Sequence, residues 1–366
     1  MVPEYSNLDA RPLRVGVVGA SGWASLSHLP ALTGTSGLAL TAVATSRETS
    51  ARETARRWGV PAWFTSAAAL AACEDVDLIT VSVKAPLHRE VVEQVLAAGK
   101  PILCEWPLGG FTDRAEYLAS TVASAGVRGF VGLQAVADPV LRRVGERVAA
   151  GAIGTVLCVT VRASRAFRDP VPPSSVYTLD VRDGAGTLEI VGGHVLSALH
   201  TALGRDRQDG TQPLGGASDL AQPVHTSTDG GTVVATGPDL AVGLLDLHPG
   251  LGTLVLSDSP DPGTEITVTG TGGHVRARTL PADPIRFRQP QIAGWQAEVT
   301  VDGGTEHLAP DADPPLPLAA RNPAAVYRMI SSDLRAATTT APTLDDAVAL
   351  HRILDALRPP ARDRRP

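Results

Sequence analysis

Short apolar runs alternate with amphipathic stretches over the first 133 residues of the chain. LRVGVV (13–18) ends in a Gly-rich turn, and residues 23–33 read as a helix. LALTAVA (38–44) is a second strand, followed by an Ala- and Arg-rich helix over 49–58. VDLITVSV (76–83), PILCE (101–105) and residues 128–133 are further strands, separated by helices over 87–98 and 112–125. Strands alternating with helices of this length predict βαβ units and a parallel sheet. Their unbroken apolar character predicts a sheet covered on both faces.

The pattern changes after residue 134. A helix over 138–150 leads into the β-rich run GAIGTVLCVTVRAS, and residues 187–203 read as a helix. From 214 to 308 the chain is rich in Gly, Thr, Val, Asp and Pro, with alternating segments such as TVVATG, AVGLLDLH, GTLVLSDS and TEITVTG. Alternation at period two marks strands with one solvated face. Two helices follow, over 321–337 and 343–358. The expected architecture is an α/β Rossmann-type domain (1–133) plus an α+β domain with a mostly antiparallel open sheet (134–358). A disordered tail (359–366) is expected to follow.

A length of 366 residues accords with two domains. Hydrophobic residues make up 43% and charged residues 19%, as expected of a folded, soluble protein. The net charge of −6 argues against a nucleic-acid partner, which calls for a basic face. No apolar run reaches the roughly 20 residues that span a bilayer. MVPEYSNLDARPLRVGVVGA lacks the charged-then-apolar order of a signal peptide, so a cytoplasmic location is expected. Cys73, Cys104 and Cys158 show no metal-type or redox-type spacing, and neither do the histidines, so no metal is expected. Only Lys84 and Lys100 are lysines. This matters because arginine does not release a proton near neutral pH, whereas a buried lysine does.

Residues 15–24 read VGVVGASGWA, a relaxed form of G-x-G-x-x-G. Gly19 allows the tight turn after the strand, Ser21 and Ala24 take the second and third glycine positions, and Gly22 keeps the loop bare. Gly19, Ala20, Ser21, Gly22 and Trp23 are therefore expected to face a dinucleotide pyrophosphate at the start of the next helix. A tight strand–helix turn without ligand is the alternative. The second strand ends in AVATSRETS, with no acid to select the ribose of NAD. Ser46 and Arg47 suit a 2′-phosphate instead, which favours NADP over NAD. A solvated loop cation is the alternative for Arg47.

From Asp77 the chain reads DLITVSVKAPLHREVVEQVLAAGKPILCEWPLG, and it closes with PTLDDAVALHRILDAL. Together with the Gly19 turn, these segments resemble the Gfo/Idh/MocA family of nicotinamide oxidoreductases over nearly the whole chain. Most members of that family carry E-K-P where this chain has Glu105, Trp106 and Pro107. VSVKAP and EWPL resemble the subgroup that includes the galactose-pathway corepressor of yeast. The resemblance implies a nicotinamide cofactor, a small polar substrate, a homo-oligomer (dimer or tetramer) and Glu105 beside the nicotinamide ribose. It also sets Trp106 at the position of the catalytic lysine. The family's D-x-x-x-H motif appears as Ile190 to His194, with Glu189 one residue before the missing aspartate.

An indole N–H donates one hydrogen bond but takes up no proton. Trp106 is then expected to stack on the nicotinamide or wall the pocket, with core packing as the alternative; a cis Trp106–Pro107 bond is compatible with X–Pro chemistry. Lys84 ends the fourth strand, where ligands of open α/β sheets bind, and is a candidate cofactor contact or acid unless it is a plain loop lysine. Lys100 lies at the opposite end of its strand. His194 is the remaining acid/base candidate, on the strength of an ordinary pKa near 6.5. Tyr177 and Asp180 in VYTLD are further candidates for the pocket. His88 in APLH is a family feature with a structural role or a cofactor contact. Three functions stay open: an NAD(P)-dependent oxidoreductase on a sugar or biosynthetic ketone or alcohol, a non-catalytic cofactor-binding regulator, and a non-redox lyase, epimerase or hydrolase.

Overall fold

The computed structural model describes residues 11–166, 169–204, 210–282, 288–310 and 315–358. The tail expected over 359–366 lies outside the described residues. Contacts along the chain divide it into two compact units, one of residues 1–137 and 312–348, the other of 138–311 and 349–366.

The first unit holds the strands β1 (Leu13–Val18), β2 (Leu38–Ala44), β3 (Ala62–Phe64), β4 (Leu78–Val81), β5 (Ile102–Glu105) and β6 (Gly129–Gly132). They form one parallel sheet in the order β3-β2-β1-β4-β5-β6. Its helices are α1 (Trp23–Leu26), α2 (His28–Thr33), α3 (Glu48–Trp58), α4 (Ala67–Ala71), α5 (His88–Leu96) and α6 (Thr112–Ser124). All residues of β4 and β5 are buried, which is the environment that continuous apolar strands require. β3 and α4 escape sequence reading because AWF and AAALA are too short to show a period.

The helix expected over 23–33 is instead two pieces that break at Ser27 (φ −123°, ψ −66°). Pro30 explains the break. A continuous helix would need an N–H at Pro30 and would drive its ring into the carbonyl of Leu26. Restarting the helix at His28 moves Pro30 into a first turn, where no N–H is required.

The second unit begins with α7 (Pro139–Ala149), capped by the Asp138 carboxylate, which accepts from the N–H groups of Val140 and Leu141 at 2.9 and 3.1 Å. Then come β7 (Val156–Ala166), α8 (Thr187–Ala202), β8 (Gln212–Asp219), β9 (Val224–Thr226), β10 (Thr232–Val234), β11 (Leu240–Asp246), β12 (Leu251–Ser259), β13 (Gly263–Gly270), β14 (Gly273–Thr279), β15 (Trp295–Val301) and β16 (Gly304–Leu308). Eight of these strands form one sheet in the order β16-β15-β14-β13-β7-β12-β11-β8, and β9 and β10 pair separately. The sheet is mostly antiparallel, with one parallel pair, β7 with β12. Its inner face is lined by Val159, Val161, Leu245, Leu254, Leu256, Ile266 and Val268, all buried. α8 is apolar nearly all round and buried along its length. Gly192 permits its close packing, because a Cβ there would meet Leu354 at 2.6 Å and Leu256 at 3.1 Å.

The chain then returns to the first unit through α9 (Leu318–Ala336). Ala320, Ala324, Tyr327, Ile330 and Leu334 form a stripe at helical spacing and join Leu29, Leu32 and Leu38 in one apolar cluster. The division between units falls inside α10 (Leu344–Ala356), at Val348. A single boundary at 133/134 does not describe this return. The α9 stripe has the same period whichever core it fills, so its destination is a tertiary fact.

Candidate functional site

The parallel sheet reverses its winding between β1 and β4, the neighbours at its centre. Ligands of open α/β sheets bind in the crevice beyond the carboxyl ends of strands at such a switch point. Here the turn Gly19–Gly22 follows β1 and Ser82–Lys84 follows β4. Gly19 has φ +86°, and a Cβ on it would lie 2.6 Å from the Ser82 carbonyl oxygen. Only glycine allows both the backbone angle and the contact. Gly22 also has positive φ (+52°), but a Cβ there meets nothing within 4 Å, so the turn opens to space. Ser21 and Gly22 are exposed, and Ala20 is buried. Two polar atoms beside this mouth, Ser82 Oγ and Trp23 Nε1, are buried without a hydrogen-bond partner. A bare turn beside unsatisfied polar atoms fits a polar ligand lying over it.

At the end of β2, Thr45 Oγ donates to the Arg47 carbonyl (2.9 Å) and lies 2.6 Å from Ser50 Oγ. Ser50 Oγ donates to the same carbonyl at 2.9 Å. These bonds pin the loop while Ser46 and Arg47 remain exposed. Glu48, the nearest acid, is paired with Arg52 at 2.8 Å.

The third part of the edge is Glu105, Trp106 and Pro107. The Trp106–Pro107 bond is cis, the form compatible with the sequence. Trp106 is buried, as is Glu105. The Glu105 carboxylate is engaged inside the fold: Gln134 Nε2 donates to Oε1 and Oε2 at 2.9 and 3.2 Å, and His28 Nε2 lies 3.0 Å from Oε1. Gly132 leaves room for this carboxylate, since a Cβ there would sit 2.1 Å from Oε1. His28 Nδ1 is 2.8 Å from the Tyr327 hydroxyl, which is 2.9 Å from Thr80 Oγ. His28, Thr80, Gly132, Gln134 and Tyr327 were not singled out by sequence reasoning. Each sits in a segment whose pattern says only strand, helix or core. The one available signal was a histidine and a tyrosine at otherwise apolar positions.

His88 is buried, with Nε2 3.1 Å from the Val83 carbonyl oxygen. Burial lowers its pKa to about 4, against the Val83 carbonyl and the Glu105 carboxylate, which raise it. Its ring is therefore neutral near neutral pH and braces the loop after β4. Lys84 is exposed and precedes the 3-10 turn Ala85–Leu87, where its carbonyl accepts from Leu87 N–H at 2.8 Å.

Other candidates lie in the second unit. His194 is buried on α8, and desolvation lowers its pKa to about 3. The expectation of a side chain titrating near neutrality is thus corrected: His194 is a neutral imidazole. Glu189 does not replace the missing aspartate. Its carboxylate accepts from the Gly186 N–H (2.8 Å) and from Arg358 (2.7 Å), so it caps α8. Asp180 is bound to Arg182, with guanidinium contacts of 2.5 to 3.1 Å and a backbone N–H at 2.9 Å. Those bonds lower its pKa to about 2, so it is a carboxylate that holds a turn. Tyr177 is half-buried in the adjoining 3-10 segment Pro173–Leu179.

Residues 13–133 match the Gfo/Idh/MocA family, described as an oxidoreductase family with an NAD-binding Rossmann fold. These residues are a Gfo/Idh/MocA family domain. The chain is 30% identical over 198 residues to the dTDP-3,4-didehydro-2,6-dideoxy-alpha-D-glucose 3-reductase of Actinomadura kijaniata, covering 54% of this chain and 58% of that protein. It is 27% identical over 211 residues to the galactose/lactose metabolism regulatory protein of Kluyveromyces lactis, covering 54% of this chain and 46% of that one. The chain spans about half the length of the curated relatives it matches. Among solved structures, a super-repressor mutant of Gal80p from Saccharomyces cerevisiae superposes with a TM-score of 0.81 at 21% identity, covering 95% of each chain. That likeness shows a shared fold.

Proposed function

We propose that this chain binds NADP along the carboxyl edge of its parallel sheet and exchanges hydride with a sugar or a related polar ketone or alcohol. The observation that carries this reading is the bare Gly19–Gly22 turn at the β1/β4 switch point. Ala20, Ser21 and Trp23 flank the pyrophosphate there, and Ser46 and Arg47 take the 2′-phosphate. NAD lacks that phosphate and is the weaker ligand. Lys84, His88, Glu105 and Trp106 form the nicotinamide end. When bound, the nicotinamide supplies the hydride acceptor or donor.

The side chains then orient substrate and manage its proton. Trp106 presents an aromatic wall that excludes water. His194, neutral through burial, is an uncharged hydrogen-bond partner for a substrate hydroxyl, and the same burial makes it a weak base. Lys84 and Tyr177 are the remaining donors, and Asp180 acts through the turn it holds. Similarity to a nucleotide-sugar reductase supports a sugar substrate.

A second reading is a cofactor-binding regulator that engages a protein. Trp106 favours it, because the position implied for the family lysine then carries no acid–base group. Similarity to a regulatory protein supports it as well. In either reading, a homo-oligomer forms through the exposed apolar face of the second sheet.

Titration of reduced cofactor by its fluorescence tests the binding step. NADPH is expected to bind more tightly than NADH, and Arg47→Ala is expected to weaken NADPH on the order of tenfold, the loss of one charge-assisted contact. Equal affinities in both proteins reject the NADP assignment. Turnover with NADP and a panel of sugars separates the readings. Reduction of the cofactor supports the enzyme, and binding without any turnover supports the regulator.

A further inference from the structure

The first unit contains a line of buried polar side chains that the cofactor reading does not use. Thr80 and Tyr327 are fully buried, and His28 and Gln134 nearly so. They come from distant parts of the chain: α2, the middle of β4, the segment after β6, and α9. The distances run 2.9 Å from Thr80 to Tyr327, 2.8 Å from Tyr327 to His28 Nδ1, and 3.0 Å from His28 Nε2 to Glu105 Oε1. His28 Nε2 is buried and makes no hydrogen bond of good geometry among the described residues; the carboxylate oxygen 3.0 Å away is its polar neighbour.

The polarity of this line follows from its end. An ionised carboxylate only accepts. The nitrogen facing it must therefore carry the proton, since a bare lone pair there would be repelled. In the tautomer that carries its proton on Nε2, Nδ1 is an acceptor and Tyr327 donates to it. Thr80 then donates to Tyr327. Burial raises the pKa of Tyr327, which keeps its hydroxyl a donor. Every donor in the line thus points one way, towards Glu105, and Gln134 supplies the second grip on that carboxylate.

The last two members of the line, His28 and Glu105, adjoin the proposed cofactor edge. His28 opens α2, six residues beyond Gly22, and its ring meets Trp23 edge-on with centroids 6.1 Å apart. Glu105 ends β5 and directly precedes Trp106 and Pro107. We propose that Thr80, Tyr327 and His28 form a one-way polar chain, hydrogen-bonded as far as His28 and ending in its close contact with Glu105, that holds the dinucleotide turn and the Trp106 turn in register, making them positioning residues for cofactor binding. This rests on the nicotinamide reading above. The chain also explains why α9 returns to the first unit with a tyrosine in an otherwise apolar stripe.

The test combines a spectroscopic and a binding measurement on the full chain. Imidazole 15N shifts should show His28 protonated at Nε2 and bare at Nδ1; a protonated Nδ1 overturns the chain. Tyr327→Phe keeps the packing and removes one hydroxyl, so the preference for Nε2–H should fall and NADPH affinity should drop several-fold. His28→Leu should weaken NADPH on the order of tenfold, the cost of leaving a buried carboxylate short of a donor. His28→Asn, which restores an N–H donor, should recover part of that loss. Unchanged affinity in folded Tyr327→Phe and His28→Leu, with the wild-type tautomer kept in Tyr327→Phe, also overturns it. If wild type binds neither NADPH nor NADH, the cofactor reading fails instead, and the tautomer measurement still decides whether the chain exists.

Discussion

The two sheets answer the same physical problem in opposite ways. In β4 and β5 of the parallel sheet a side chain is buried whichever way it points. Any polar group there must find a partner inside, as Thr80 and Glu105 do. In the second sheet, residues alternate. On β11, Ala241 and Leu245 face the core while Val242 and Leu244 are 43% and 51% exposed. Leu214 and Leu251 on neighbouring strands are 57% and 58% exposed. The first sheet spends its residues on rigidity and leaves chemistry to the strand ends. The second carries exposed apolar side chains on its open face.

One pair breaks the contrast and gives the largest expected effect. Arg165 on β7 and Asp258 on β12 are buried in the second unit and bonded at 2.8 and 3.1 Å, with Thr187 donating to the same carboxylate at 2.6 Å. Asp258→Ala leaves a buried guanidinium uncompensated and is expected to cost about 3–5 kcal/mol in urea unfolding. A loss below about 1 kcal/mol would mean that water reaches the pair.

The next effect belongs to the rim of the parallel sheet. Burial raises the pKa of Asp77, but the side-chain hydrogen bonds of Arg11 and Arg14 and the Arg14 N–H outweigh it and bring the value down to about 2. A depressed folded-state pKa gives stability that is complete above the unfolded value, 3.8, and is lost as pH falls towards about 2. The partly exposed arginines reduce the sum to roughly 1–2 kcal/mol. Asp77→Asn is expected to remove that part of the acid limb, measured by urea midpoints across this window. An acid limb identical to wild type would exclude Asp77 as its source.

The smallest effect on stability, and the one that most sharpens the comparison, is on the open face. Leu244→Lys is expected to change unfolding free energy by no more than about 0.5 kcal/mol, because the side chain already meets solvent within the chain. It should shift the mass by light scattering from oligomer to monomer. A large loss of stability with no change in mass would show that the face is covered within the chain.

The alternation of apolar strands with helices fixed the Rossmann-type unit, because a sheet covered on both faces demands that pattern. Period-two alternation likewise revealed the second sheet and its solvated side. The Gly19 turn was legible, since few sequences put a small-residue loop between a strand and a helix. Sequence did not reveal that α9 serves the first unit, that Pro30 splits the helix after that turn, or that β12 pairs parallel with β7. It named His194 by its ordinary pKa, and burial then removed its charge. Above all, it could not join His28, Thr80, Gln134 and Tyr327 to Glu105. A hydrophobic period reports which face of an element is buried. Which buried polar atoms meet is decided only when elements hundreds of residues apart pack together, because only then must each donor find its acceptor.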